Sequence, residues 1–104
     1  MYKFTGKRYM TCGVHQEVDL VLQMYLWKLV DDLLRLQPNS VDYLQIFELL
    51  PEEKNGILLQ KIVHRQEVPP YSKIHQIFIL QPIQQKIYII DDIEHVTMLL
   101  SEEY

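Results

Sequence analysis

The sequence predicts an α+β domain, with one long N-terminal helix packed on a curled antiparallel sheet of about five strands. Three observations predict it. Residues 17–36 contain neither Pro nor Gly and carry leucines at helical spacing. Most of the remaining chain breaks into short, partly alternating segments rich in Ile, Val, Leu and Tyr. Short turns join those segments, and short connections place antiparallel strands side by side.

In chain order, residues 8–14 (RYMTCGV) favour extended structure through Tyr9, Thr11 and Val14, with Gly13 at the exit. The helix over 17–36 sets Val18, Leu22, Tyr25, Leu29, Leu33 and Leu36 on one stripe. Glu17 and Asp19 suit the positive end of its dipole, Asp31 and Arg35 are spaced to pair, and Pro38 ends it. Leu20, Trp27, Val30 and Leu34 form a second apolar band, roughly 140° from the first at 100° per residue. A helix lying on a sheet buries one face. Either loops cover the second band or another chain does, and Trp27 is the residue type enriched at interfaces.

Residues 43–49 form the next strand, and 51–56 (PEEKNG) a turn carrying the Asn55-Gly56 hairpin signal. Residues 57–66 run to the break at Pro69-Pro70. Segments 73–80, 86–90 and 95–100 complete the sheet, with Asp91-Asp92 at a turn. At 104 residues the chain has the length of a single domain, so 1–104 is read as one unit.

Composition excludes several classes. The net charge of −4 lacks the basic surface of a nonspecific nucleic-acid binder, although Lys3, Lys7 and Arg8 precede the first acid and tyrosines are frequent. Lone Cys12 permits no internal disulfide and, even with His15, no cysteine-based zinc site. No apolar run reaches the ~20 residues that cross a membrane, and the first residues lack a signal-peptide core. The expectation is a cytoplasmic protein. Three glycines in all cannot write a P-loop or a dinucleotide fingerprint, and no nucleophile elbow or HExxH is present. No cofactor is expected.

Candidate chemistry therefore rests on clusters. His64-Arg65-Gln66-Glu67 before Pro69-Pro70-Tyr71 gathers an imidazole, a guanidinium, an amide and a carboxylate at a strand end. Alternation puts His64 with Gln66 and Arg65 with Glu67. An enzyme or small-ligand binder would use Glu48, His64 and Glu67 as an acid–base set, which requires those side chains to converge. A recognition patch would use Arg65, Gln66 and Tyr71. Glu48, alone in an apolar strand, is expected to pair across the hairpin with Lys61 or His64. Asp91, Asp92, Glu94 and His95 could hold a hard cation, without the spacing of a calcium loop. With no catalytic motif, the leading expectation is a non-enzymatic interaction or regulatory domain, its partner a protein or a second copy, with Leu20, Trp27, Val30 and Leu34 as the contact surface.

Several segments also carry a family likeness. Arg8-Tyr9-Met10-Thr11 with Gly13-Val14, Leu26-Trp27, and Asp42-Tyr43-Leu44-Gln45 with Phe47-Glu48-Leu49 form its first half. His64 to Glu67 with Pro69-Pro70-Tyr71, and Thr97 to Leu100 with Glu102-Glu103-Tyr104, form the second. In order and spacing they resemble domain-of-unknown-function family nine-sixty, of short proteins in Gram-positive bacteria. The resemblance implies a complete bacterial cytoplasmic protein and carries no activity, substrate or cofactor. Cys12 departs from the basic residue expected there.

Overall fold

Thr11 decides where the first strand stops. In the computed structural model, which describes residues 2–104, strand β1 covers only Lys7–Met10. The Thr11 hydroxyl then accepts from the Val14 amide at 3.3 Å and caps a helix, α1, over Cys12–Glu17. The expected strand over 8–14 is thus half helix. Val18 is extended, the chain turns a corner, and the long helix α2 runs over Leu20–Leu36. The single helix expected from residue 17 is therefore two, a short one and a long one. Gln23, buried in α2, donates from its amide to the Val18 carbonyl at 2.8 Å and closes the corner.

Six strands follow the order β1-β6-β5-β2-β3-β4, where β2 is Leu44–Lys54, β3 Ile57–Gln66, β4 Tyr71–Ile77, β5 Gln85–Asp91 and β6 His95–Leu100. A short 3-10 turn, Ser101–Glu103, follows β6. The pairings are antiparallel except β1 with β6, which are parallel, so the sheet is open and mixed, with one strand more than expected. The parallel pair follows from the helices, which intervene before the chain returns to β1's side.

The turn expected over 51–56 shrinks to Asn55-Gly56. Both have positive φ, as a tight two-residue hairpin requires, and Lys54 pairs with Ile57. Pro51 sits inside β2, which is tolerated because β5 pairs with β2 only as far as Leu49. Beyond that point β2 is an edge strand, where a missing donor breaks no second ladder.

One sheet face carries the core. Leu22, Leu26, Leu29, Val30 and Leu33 of α2 pack with Phe47, Leu49, Ile62, Ile87, Ile89 and Met98. The buried stripe of α2 is centred between the two apolar bands read from the sequence. Val30 therefore falls in the core rather than on a free surface, and Leu36, on the other side, is 70% exposed. Trp27 and Leu34 flank the stripe and pack half-buried against it.

The start of β1 approaches β6 so closely that Gly6 has no room for a side chain. A Cβ there would stand 2.5 Å from the Glu94 carbonyl oxygen, a backbone atom. Gly6→Ala is expected to lower unfolding stability by about 2 kcal/mol by forcing the two segments apart. Urea denaturation reads this directly, and a loss below half of that value would mean the pair separates freely.

Candidate functional site

The acid–base set does not assemble. Cross-strand partners share a face, and Phe47 pairs with His64 while Glu48 pairs with Val63. His64 thus points to the helix side and Glu48 to the opposite side. Glu48 Oε2 accepts from Arg65 Nε at 2.9 Å, so its partner is Arg65 rather than Lys61 or His64. Lys61 instead lies 3.7 Å from Glu52. Glu67 stands exposed in the turn after β3. The patch of Arg65, Gln66 and Tyr71 divides the same way, with Arg65 on the outer face and Gln66 and Tyr71 facing the helix layer.

His64 is 1% exposed. Its ring stacks on Phe47 at a centroid distance of 4.4 Å and meets Tyr71 edge-on at 5.5 Å. Nε2 lies 2.7 Å from Gln45 Oε1, an acceptor, so this nitrogen carries the proton of the neutral ring. Burial pushes the imidazole down to about 3, with a smaller push from His75. A base so weak, sealed in the core, does not serve proton transfer near neutral pH.

What the imidazole does is anchor loops. Gln45 Nε2 donates to Gln66 Oε1 at 2.8 Å and to the Asp42 carbonyl at 2.9 Å. Gln66 Nε2 donates to the carbonyls of Ser40 at 2.8 Å and Pro69 at 2.9 Å. The chain between α2 and β2 is thereby tied to the turn between β3 and β4. Buried amides here satisfy irregular backbone that has no ladder of its own.

The acidic segment near residue 91 is occupied by its own backbone. Buried Asp91 accepts from the amides of Phe4 and Ile93, each at 2.9 Å, and Asp92 Oδ1 accepts from the His95 amide at 2.7 Å. Exposed Glu94 and His95 border the same turn. At the chain's end, Glu103 Oε1 accepts from Thr11 Oγ1 at 2.6 Å and from the Leu100 amide at 2.9 Å. Those bonds, with a further one from the Gly13 amide, hold its carboxyl below the usual range. The acidic end is thus a turn bound to the start of α1. Arg8 lies over Trp27 at 4.8 Å from the ring centroid and donates to both oxygens of Asp31, at 3.3 and 2.5 Å. Trp27 is therefore covered from within the chain. Cys12 is exposed on α1.

A different surface stands open. Residues 78–84, expected to continue β4 as far as residue 80, instead cross the helix-facing side toward β5. Buried Gln60 holds this strap. Its Oε1 accepts from the Ile83 amide at 2.8 Å, and its Nε2 donates to the Ile83 carbonyl at 3.0 Å, with the Leu50 and Lys61 carbonyls at 3.2 Å. One side chain thus gives Ile83 both bonds a neighbouring strand would supply. Between the strap and the α1–α2 corner lies a groove of about 940 Å³. Leu20, Val21, Phe78 and Leu80 line it and are 61%, 63%, 68% and 89% exposed. Of the surface residues expected on α2, only Leu20 belongs to it. Phe78 and Leu80 were hidden in the sequence because the apolar run IFIL reads as a buried strand.

Fold and site together define a two-layer α+β domain with an open apolar groove and no convergent acid–base set among the described residues. The chain belongs to the family described as Staphylococcal protein of unknown function (DUF960), whose model matches residues 7–103. The crystal structure of a protein of unknown function from Enterococcus faecalis is similar over 100% of this chain and 97% of that one, at 24% identity and a TM-score of 0.79. That likeness establishes the fold. No curated protein matches the chain. Among the described residues no helix is long and apolar enough to cross a membrane.

Proposed function

We propose that this protein is a non-enzymatic interaction domain that docks an apolar segment of a partner protein in the groove between the α1–α2 corner and the 78–84 strap. The carrying observation is the contiguous exposure of Leu20, Val21, Phe78 and Leu80 around that groove. Single exposed apolar residues are ordinary, whereas several around one concavity mark a binding surface. The groove has two walls of different make, a helix corner closed by Gln23 and a strap held by Gln60. Both walls are fixed by buried hydrogen bonds, so the surface is in place before a partner arrives, which lowers the ordering cost of binding.

A photoreactive residue placed at Leu80 in living cells tests the reading. A discrete cross-linked partner is expected from position 80, none from exposed Glu53 at the far hairpin, and loss of the adduct in a Val21→Ser, Phe78→Ser background. Adducts of equal yield from both positions, or none from position 80, would sink it. An adduct only with a second copy would make self-assembly the function of the groove.

A further inference from the structure

We infer that the segment the groove accepts is an amphipathic helix whose apolar face is bordered by Lys or Arg. The inference rests on the groove being a docking site, and it adds the chemistry of the occupant. Among the described residues that line it, the charged ones are Glu17 and Asp19, with no Lys or Arg. Asp19 sits at the start of α2, yet its side chain makes no capping bond, and it is exposed. Glu17 commits one oxygen, Oε1, to Gln85 Nε2 at 2.9 Å. The rim thus offers negative charge beside apolar walls, and complementary charge on a partner orients it and speeds its encounter.

The walls decide the partner's conformation. A strand adds to an open sheet edge through backbone bonds, but among the described residues Met10 is the only lining residue that lies on a strand. The rest belong to helix ends, the corner and the strap. Such a groove reads side chains, which is how an amphipathic helix is bound. A second copy docking by the same groove would set Glu17 and Asp19 against their own copies, so a symmetric dimer through this face is disfavoured.

The test uses the full chain and two fluorescent helical peptides with the same leucine face, one flanked by lysines and the other by glutamates. Anisotropy titrations are run at low and high salt. The lysine peptide is expected to bind about tenfold tighter than the glutamate peptide at low salt, since the two rim carboxylates attract the one and repel the other. That advantage shrinks as salt screens the rim. Phe78→Ser with Leu80→Ser removes binding of the lysine peptide; both residues are exposed, so the fold survives. Glu17→Gln with Asp19→Asn brings the ratio of the two peptides close to one. Equal binding of both peptides, lost in the Phe78 and Leu80 double variant, overturns the basic partner and leaves the docking reading intact. Binding indifferent to that double variant overturns both. Failure of the lysine peptide to bind overturns this inference, and the cross-linking result then decides the docking reading by itself.

Discussion

Gln60→Ala is expected to lower the unfolding free energy by about 3 kcal/mol, because it strips partners from buried backbone groups as well as removing packed atoms. Gln60 is fully buried, and its amide is bonded to both the N–H and the C=O of Ile83. The strap has no other ladder there, and Pro82 beside it has no N–H to offer. Ile79 and Ile83 are the strap residues packed against the core, so freeing Ile83 also loosens that packing. The effect is local before it is global. Hydrogen exchange in Gln60→Ala should show the Ile83 amide unprotected while amides at Ile62 and Phe47 stay slow. Gln60→Leu, which restores volume without hydrogen bonding, should recover less than half of the loss. An Ile83 amide still protected in Gln60→Ala would mean the strap is held by packing alone.

The same substitution bears on the docking reading. Phe78 and Leu80 stand on the strap that Gln60 holds at Ile83. At a temperature where Gln60→Ala remains folded, its affinity for a groove ligand should fall together with Ile83 protection. A structural residue with no link to the groove would leave that affinity unchanged.

The strands were legible where alternation and turn chemistry agreed. Asn55-Gly56 placed a hairpin, and β3 was read to its residue, Ile57–Gln66. The error at β1 came from reading Thr11 as a strand former, whereas its hydroxyl serves better as a helix cap. The error on α2 came from choosing one stripe of two. With apolar residues on most of its circumference, the helix period alone does not say which direction faces the sheet. The glutamines are the instructive case. Gln45, Gln60 and Gln66 share the strand parity of Phe47, Ile62 and His64, and in the fold that parity faces the helix layer. What alternation could not supply was their distant partners, the Ile83 backbone for Gln60 and the Ser40 carbonyl for Gln66. Asp91 is the same case, its partner Phe4 lying 87 positions away. The site was missed for a related reason. A groove built from a helix corner and a crossing strap is a product of topology, and no short motif encodes it.

Acid should reveal the cost of the buried imidazole. His64 has a native value of about 3 against the ordinary 6.5 of an imidazole, so the unfolded chain binds a proton that the folded one refuses. A depressed value of this kind leaves stability intact above pH 6.5 and erodes it as pH falls toward 3, at about 1.4 kcal/mol per pH unit. Between pH 7 and pH 5 the loss is about 2 kcal/mol. His75 adds in the same direction, its imidazole lowered by burial and by Lys73 and Lys28. The carboxyls held low, Asp32 and Glu103, begin to lose their stabilisation only as pH falls through the ordinary carboxylate range and on toward their lowered native values, so the window from 6.5 to about 5 belongs to the histidines. Urea titrations of the wild type and of His64→Gln across pH 5–7 separate the parts. The glutamine variant keeps a donor toward Gln45, starts less stable because the stack on Phe47 is gone, and should lose most of the slope. His75→Gln should remove the smaller remainder. A slope unchanged in His64→Gln would place the proton uptake elsewhere and would mean that the ring stacked between Phe47 and Tyr71 accommodates its charge.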